Sequence, residues 1–497
     1  MDGLAHFGSG SIPTGRRRVR PKGHERPPLP GKRQGVRFPH NSGTEAQGAA
    51  HRRRLDGSGH TVTDEVLDSG TVNAALSPPH LYVRTVSLPE DASSLVRRLP
   101  ADSPLAWLTG DEGIVGWGRA ARLELGGDPG AAEPTDTTRF TEAARWTNGL
   151  MERSDVRDEV NRPGTGLVAF GTFAFSPASG DSSLVVPRVL LGRRDGRTWL
   201  TTVTDRPGEH PPEPPRPTSA TRPVGPVSWS RGSLTDERWM AAVADTVERI
   251  HAGELDKAVL ARDAFADAGS PIDVRTLLER LRLRFPSCFT FSVDGMVGAT
   301  PELLMRREGD RLTSLVLAGT RPRGGDADSD RALAEELLAS AKDVDEHRMA
   351  VDSLRASLGP LTEELDVPER PRLLALANVQ HLATPARARL STGVSALDAV
   401  AALHPTAAVG GTPTSAAMRL IAEVEGMDRG GYAGPVGWLD GAGNAEWGIA
   451  LRCARVDGAR ARLFAGGGIV SRSDPRSELA ETESKFRVMR EALTDPG

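Results

Sequence analysis

The sequence predicts a large mixed fold, α+β or α/β, on three observations. Strand-like apolar runs and helix-period segments are interspersed from about residue 70 onward. A chain of 497 residues has ample material for a buried core, as one large domain or two to three smaller ones. Its composition, 38% hydrophobic and 26% charged, is that of a soluble globular protein. No repeat of fixed period is present.

Residues 1–65 do not fit that pattern. The first 60 hold 12 Lys and Arg against 4 Asp and Glu, in a chain whose net charge is −4. The segment is rich in Gly and Pro and has neither helical nor strand periodicity, which predicts a disordered extension outside the folded core. No apolar stretch follows its arginines, so no secretory signal is expected. A basic arm suits nucleic acid, but no stacking aromatics are interleaved among these arginines, and no nucleic-acid partner is expected.

Residues 66–225 read as strands at L-Y-V-R-T-V-S-L, G-L-V-A-F-G-T-F-A-F and S-S-L-V-V-P-R-V-L-L-G. A proline-rich loop, P-G-E-H-P-P-E-P-P-R-P, closes this part. The pattern changes across residues 226–497. Thr235 caps a helix with an acidic first turn, its apolar face carries Trp239, Val243, Val247 and Ile250, and Gly253 ends it. A short strand, A-V-L-A-R, follows Lys257 directly. Further strands are predicted at C-F-T-F-S-V, R-L-T-S-L-V-L-A-G, A-E-W-G-I-A-L-R-C-A-R-V and A-R-L-F-A-G-G-G-I-V, and helices at 330–341, 344–357 and 475–493.

No run approaches 18 apolar residues, so no membrane-spanning helix is predicted. Two cysteines, Cys288 and Cys453, lie among apolar neighbours and read as reduced core thiols of a cytoplasmic protein, which rules out a cysteine-based metal site.

Lysine is scarce: five among 62 Lys and Arg, with only Lys257, Lys342 and Lys485 beyond residue 60. Each of the three sits among carboxylates. Arg is always charged, whereas a buried Lys amine can lose its proton and act as a base. On the C-terminal helix, Asp474 is a cap with Pro475 at the first position, and Glu478, Glu481 and Lys485 share one face. That face reads equally as a solvated one with Glu481–Lys485 pairing. Asp343 and Glu346 stand one turn apart with His347 beside them, in what is otherwise an acidic first turn favoured by the helix dipole. Two such helices face to face would form a carboxylate cage whose oxygen ligands suit Mg²⁺ rather than zinc. Glu302, in Thr300-Pro301-Glu302 ahead of Leu303-Leu304, is a carboxyl beside apolar residues and a candidate general acid. Gly466–Gly468 reads as a glycine loop whose N–H groups approach an anion closely.

These pieces together resemble the chorismate-utilising enzymes, most closely the isochorismate synthases. The resemblance covers roughly residues 235–495. It rests on D-K-A-V-L-A-R, G-A-T-P-E-L-L-M-R, L-A-G-T-R-P-R-G, K-D-V-D-E-H-R-M-A-V-D, V-Q-H-L-A-T-P, L-H-P-T-A-A-V-G-G-T-P, G-Y-A-G-P-V-G-W, I-A-L-R-C-A and A-G-G-G-I-V followed by E-L-A-E-T-E-S-K, in the family's order. It implies an α+β fold of two large packed antiparallel sheets with helices outside, in which residues 66–225 form the variable N-terminal part. It also implies roles. Lys257 would be the base that activates water for attack at C2 of chorismate, and Glu302 the acid that protonates the departing C4 hydroxyl. Glu346 and Glu481 would ligate Mg²⁺, with Asp343 and Glu478 nearby. Gly319, Thr320, Tyr432, Arg452, Gly466, Gly468 and Lys485 would bind substrate carboxylates and hydroxyls, and His381 would lie beside the ring.

Within the family, a lysine in D-K-A-V-L favours water over ammonia, since anthranilate synthases generally lack it. Neither ammonia chemistry nor a glutamine amidotransferase partner is therefore expected. The loop H-P-T-A-A-V-G-G is similar to the isochorismate form H-P-T-P-A-L-S-G but departs from it at Ala407, Val409 and Gly410. Ala408 stands where salicylate synthases usually carry threonine, which favours stopping at isochorismate. The first alternative is a salicylate synthase, a less favoured one an anthranilate or aminodeoxychorismate synthase using ammonia, and the non-enzyme alternative an inactive homologue acting as a binding protein. A monomer is expected.

Overall fold

The computed structural model describes residues 78–89, 93–128, 135–208, 221–375 and 379–494. The basic segment 1–65 and residues 209–220 of the proline-rich stretch lie outside the described residues. Those described form an α+β fold of a 13-stranded sheet, a 10-stranded sheet and eight helices. The larger sheet runs Ser228–Arg231, Lys257–Asp267, Arg460–Ile469, Cys453–Asp457, Met296–Thr300, Phe289–Val293, Leu105–Thr109, Glu112–Trp117, Val189–Arg194, Arg197–Thr204, Tyr82–Leu88, Asp155–Asp158, and Gly411–Thr412 also pairs with the second of these. The smaller runs Thr362–Asp366, Val379–Leu390, Arg311–Pro322, Leu303–Glu308, Ala445–Ile449, Pro435–Asp440, Val168–Thr172, Ser182–Val186, Ala121–Leu125, with Arg372–Ala375 added beside Val379–Leu390. Pairing is antiparallel except between Tyr82–Leu88 and Asp155–Asp158.

Both sheets are shared by the two parts of the chain, each part supplying one block of neighbouring strands. Leu105–Thr109 pairs with Phe289–Val293, and Val168–Thr172 with Pro435–Asp440. Residues upstream and downstream of 225 therefore build one body. Its main core takes Trp107 and Phe291 from the larger sheet and Phe170, Trp438 and Trp447 from the smaller, all buried. A second core covers the larger sheet with the helices Val274–Arg284 and Pro475–Thr494, through Leu277, Leu281, Phe486 and Met489.

Helix ends follow the capping chemistry. Thr235 accepts from the Arg238 N–H at the start of Asp236–His251, and Gly253 (φ +79°) turns the chain away beyond it. Asp474 accepts from the Ser477 N–H at 2.9 Å ahead of Pro475.

Two runs predicted as single strands are each two strands in different sheets. S-S-L-V-V-P-R-V-L-L-G divides into Ser182–Val186 and Val189–Arg194, because Pro187 has no N–H to continue a ladder. A-E-W-G-I-A-L-R-C-A-R-V divides into Ala445–Ile449 and Cys453–Asp457, with Arg452 left-handed (φ +48°) at the crossing. The chain crosses in the opposite sense between Met296–Thr300 and Leu303–Glu308, at Pro301-Glu302. Glu302 and Arg452 thus occupy two corners where one sheet hands the chain to the other.

Candidate active site

The two crossings are stitched together: the Ile449 N–H donates to the Glu302 carbonyl at 3.1 Å, and the Ala299 N–H to the Arg452 carbonyl at 3.3 Å. They flank a cavity of about 490 Å³, within the range of small-molecule sites. Every site residue named from the sequence except Lys257 lines it: Glu302, Gly319, Thr320, Asp343, Glu346, His381, Ala408, Tyr432, Arg452, Gly466, Gly468, Glu478, Glu481 and Lys485. Lys257 is buried immediately behind. Its Nζ donates to Glu346 Oε1 at 2.8 Å.

Gly466–Gly468 is not a loop. It is the end of the strand Arg460–Ile469, in register with Ala261, Leu260 and Val259. The glycines serve space rather than turning: a Cβ at Gly468 would lie 3.1 Å from Lys257 Cε, and one at Gly466 would lie 3.1 Å from the Tyr432 hydroxyl. Gly319 is the other kind. It sits in a strand bulge at φ +77°, a conformation glycine adopts without penalty, and faces Asp343.

Burial pushes the Glu302 carboxyl up to about 7, against the pull of Lys257, Arg452 and Lys485. Burial brings the His381 imidazole down to about 4, so it is neutral at ordinary pH. Its Nδ1 shares a 2.9 Å hydrogen bond with the Thr320 hydroxyl, while Nε2 has no protein partner among the described residues. Tyr432 stacks on Phe464, and burial raises its phenol. Lys485 donates to the Gly466 carbonyl and to Glu481, both at 2.6 Å, and burial lowers its pKa.

The four acidic side chains come from two helices. Asp343 lies in the first turn of Ala341–Leu358, capped by Ser340, with Arg321 at 3.0 Å. Glu346 follows one turn later. Glu478 starts the other helix and accepts from the Ser473 hydroxyl at 2.7 Å, with Glu481 one turn on. These oxygen donors fit a hard divalent cation in kind and number. Each, however, is directed at a partner within the protein, and among the described residues no three acidic, histidine or cysteine side chains converge on one point.

His347 does not join the acids: it is buried between the Thr384 hydroxyl (2.7 Å) and the Ala318 carbonyl (3.2 Å). The side chain of Lys342 lies outside the described residues. Two arginines lining the cavity escaped the sequence reading, Arg321 and Arg429. In an arginine-rich chain they carry no compositional signal.

The family profile described as chorismate binding enzyme matches residues 109–494. The chain belongs to the chorismate-binding enzymes. The match begins well upstream of residue 235, in keeping with the shared sheets. The salicylate biosynthesis isochorismate synthase of Pseudomonas aeruginosa is 45% identical over 284 residues, 56% of this chain and 59% of that one. The vibriobactin-specific isochorismate synthase of Vibrio cholerae is 33% identical over 356 residues, 70% and 84% of the two chains. Among solved structures, the menaquinone-specific isochorismate synthase MenF of Escherichia coli aligns with a TM-score of 0.70 at 26% identity, covering 84% of this chain and 96% of that one. This chorismate-binding enzyme thus spans under two thirds of the Pseudomonas relative's length. Among its described residues no helix is long and apolar enough to cross a membrane.

Proposed function

We propose that this chorismate-binding enzyme is an isochorismate synthase, which adds water at C2 of chorismate and expels the C4 hydroxyl. The observation that carries this reading is the pairing of a buried amine, Lys257, with a carboxyl that holds its proton near neutrality, Glu302, at one cavity. Water is a poor nucleophile and hydroxide a poor leaving group, so the exchange needs a base on one side of the ring and an acid on the other. Lys257 takes a proton from water as its oxygen bonds to C2, and Glu302 gives one to the C4 oxygen as that bond breaks. Protons and oxygens balance.

As placed, the Lys257 amine donates to Glu346, and it is free to meet the attacking water only when Glu346 is engaged elsewhere. Bound Mg²⁺ would supply charge neutralisation for a substrate carboxylate, with Glu346 and Glu481 as ligands and Asp343 and Glu478 beside them. Arg452 and Lys485 offer cations to the second carboxylate, and Thr320, His381 and Tyr432 offer polar atoms to the ring hydroxyls. The names of the relatives support the same chemistry.

The test is incubation of the protein with chorismate and Mg²⁺, without ammonia, and identification of the products. Isochorismate is expected, and chelation with EDTA should abolish its formation. Salicylate as the main product would replace this reading with salicylate synthase. No turnover with or without ammonia would overturn both.

A further inference from the structure

Glu425 and Arg429 form a buried ion pair that none of these roles uses. They lie four residues apart just beyond the helix Thr414–Val424, with Arg429 Nε at 2.8 Å from Glu425 Oε2 and Nη2 at 2.5 Å from Oε1. The guanidinium does more than close this pair. Its Nη1 donates to the Val409 carbonyl at 3.0 Å and its Nη2 to the Val259 carbonyl at 2.6 Å. Glu425 Oε1 in turn accepts the Ala261 N–H at 2.7 Å. The ring of Phe175 lies 4.0 Å from the guanidinium carbon and closes off one face. The Arg429 carbonyl also accepts the Tyr432 N–H at 3.1 Å.

Arg429 therefore ties three pieces of the site together: its fork holds the strand that begins at Lys257 and the loop that carries Ala408, and its own carbonyl holds the turn that carries Tyr432. A backbone bond from the Val259 N–H to the Gly410 carbonyl, 2.8 Å, spans the same junction. Buried ion pairs add little net stability compared with apolar residues of similar volume. Their directional bonds can, however, fix backbone spacing, and a planar fork holds two carbonyls at a set separation as a lysine cannot. We infer that Glu425 and Arg429 are positioning residues that hold the Lys257 strand at a fixed spacing from the Ala408 loop, so that the amine meets the reacting face of the substrate. The inference rests on Lys257 being the base.

The test is the full-length double variant E425M/R429M beside R429K, with kcat, KM for chorismate and thermal unfolding measured for each. The double variant removes both charges at similar volume but takes these partners from the Val259 and Val409 carbonyls and the Ala261 N–H, so it should fold with an unfolding midpoint somewhat below that of the wild type. Its kcat should fall about 100-fold, the size of effect expected from a misplacement of about 1 Å, with KM within about threefold. R429K keeps one charge without the fork and should lose about tenfold in kcat. A double variant that folds and turns over within about twofold of wild type overturns the inference. So does a rise in KM at unchanged kcat, which would mean Arg429 binds substrate directly. If neither variant folds, the pair is a folding element and the inference fails. K257A is assayed in parallel: an active K257A defeats the base assignment whatever the pair does.

Discussion

Glu302 lies half-buried where the chain passes between the sheets, and the loss of water around its carboxyl keeps a proton on it near pH 7. Activity that depends on this acid is expected to fall as pH rises through about 7. The same shift makes a prediction that needs no substrate. A carboxyl ionising near 4.5 in the unfolded chain and near 7 when folded contributes stability that is complete below the lower value and lost as pH rises through the upper one. The full shift corresponds to about 3 kcal/mol, reduced by whatever water the cavity admits. E302Q cannot titrate, so it should lose less stability than wild type between pH 5 and pH 8. Equal losses in urea unfolding at the two pH values would show that Glu302 is not raised. For catalysis, K257A and E302Q should each lower kcat by about 10²–10⁴-fold, with circular dichroism unchanged. Near-wild-type turnover in either would reverse its role.

At the scale of elements, the strand Arg460–Ile469 places three glycines against Val259, Leu260 and Ala261, and Lys257 reaches past Gly468 to Glu346. Gly468→Ala would put a methyl carbon 3.1 Å from Lys257 Cε, tighter than a buried side chain accepts without shifting. The expected result is a kcat loss of about 10–100-fold with at most about 1–3 kcal/mol of stability lost, read from turnover and urea unfolding side by side. Unchanged turnover would mean that Lys257 has room to give. This strand also shows the limit of what the sequence reveals. The three glycines pointed to a site but read as a loop, because glycine signals a turn locally and close approach only when the neighbouring strand is known. The helices bearing Asp343, Glu346, Glu478 and Glu481 were legible, since caps and spacing are local. The crossings at Pro187 and Arg452 were not, because an apolar strand carries the same pattern whichever sheet receives it. Arg429 was hidden for a related reason: its partners are backbone carbonyls that no residue type announces.

Across the whole molecule, function depends on two sheets keeping a fixed relation, since the cavity lies beside the corners where the chain passes between them. Apolar packing of Trp107 and Phe291 against the other sheet supplies most of the adhesion but little direction. Direction comes from Glu446. This buried carboxylate of the smaller sheet accepts from Trp107 Nε1 at 2.8 Å and from Arg194 at 2.7 Å, both in the larger sheet, and lies 2.8 Å from Arg306 beside it. It sits three residues before Ile449, whose N–H holds the Glu302 carbonyl. Removing this carboxylate leaves the Trp107 indole N–H buried without its partner and takes one acceptor from two part-exposed arginines, which costs about 1–3 kcal/mol. E446A is therefore expected to lower the unfolding free energy by that amount, while E446Q, which can still accept from Trp107, should lose less. Both are measured by urea unfolding with turnover followed on the folded fraction. An E446A protein within about 0.5 kcal/mol of wild type would mean that apolar packing alone orients the sheets, and that the site's geometry does not depend on this polar bridge.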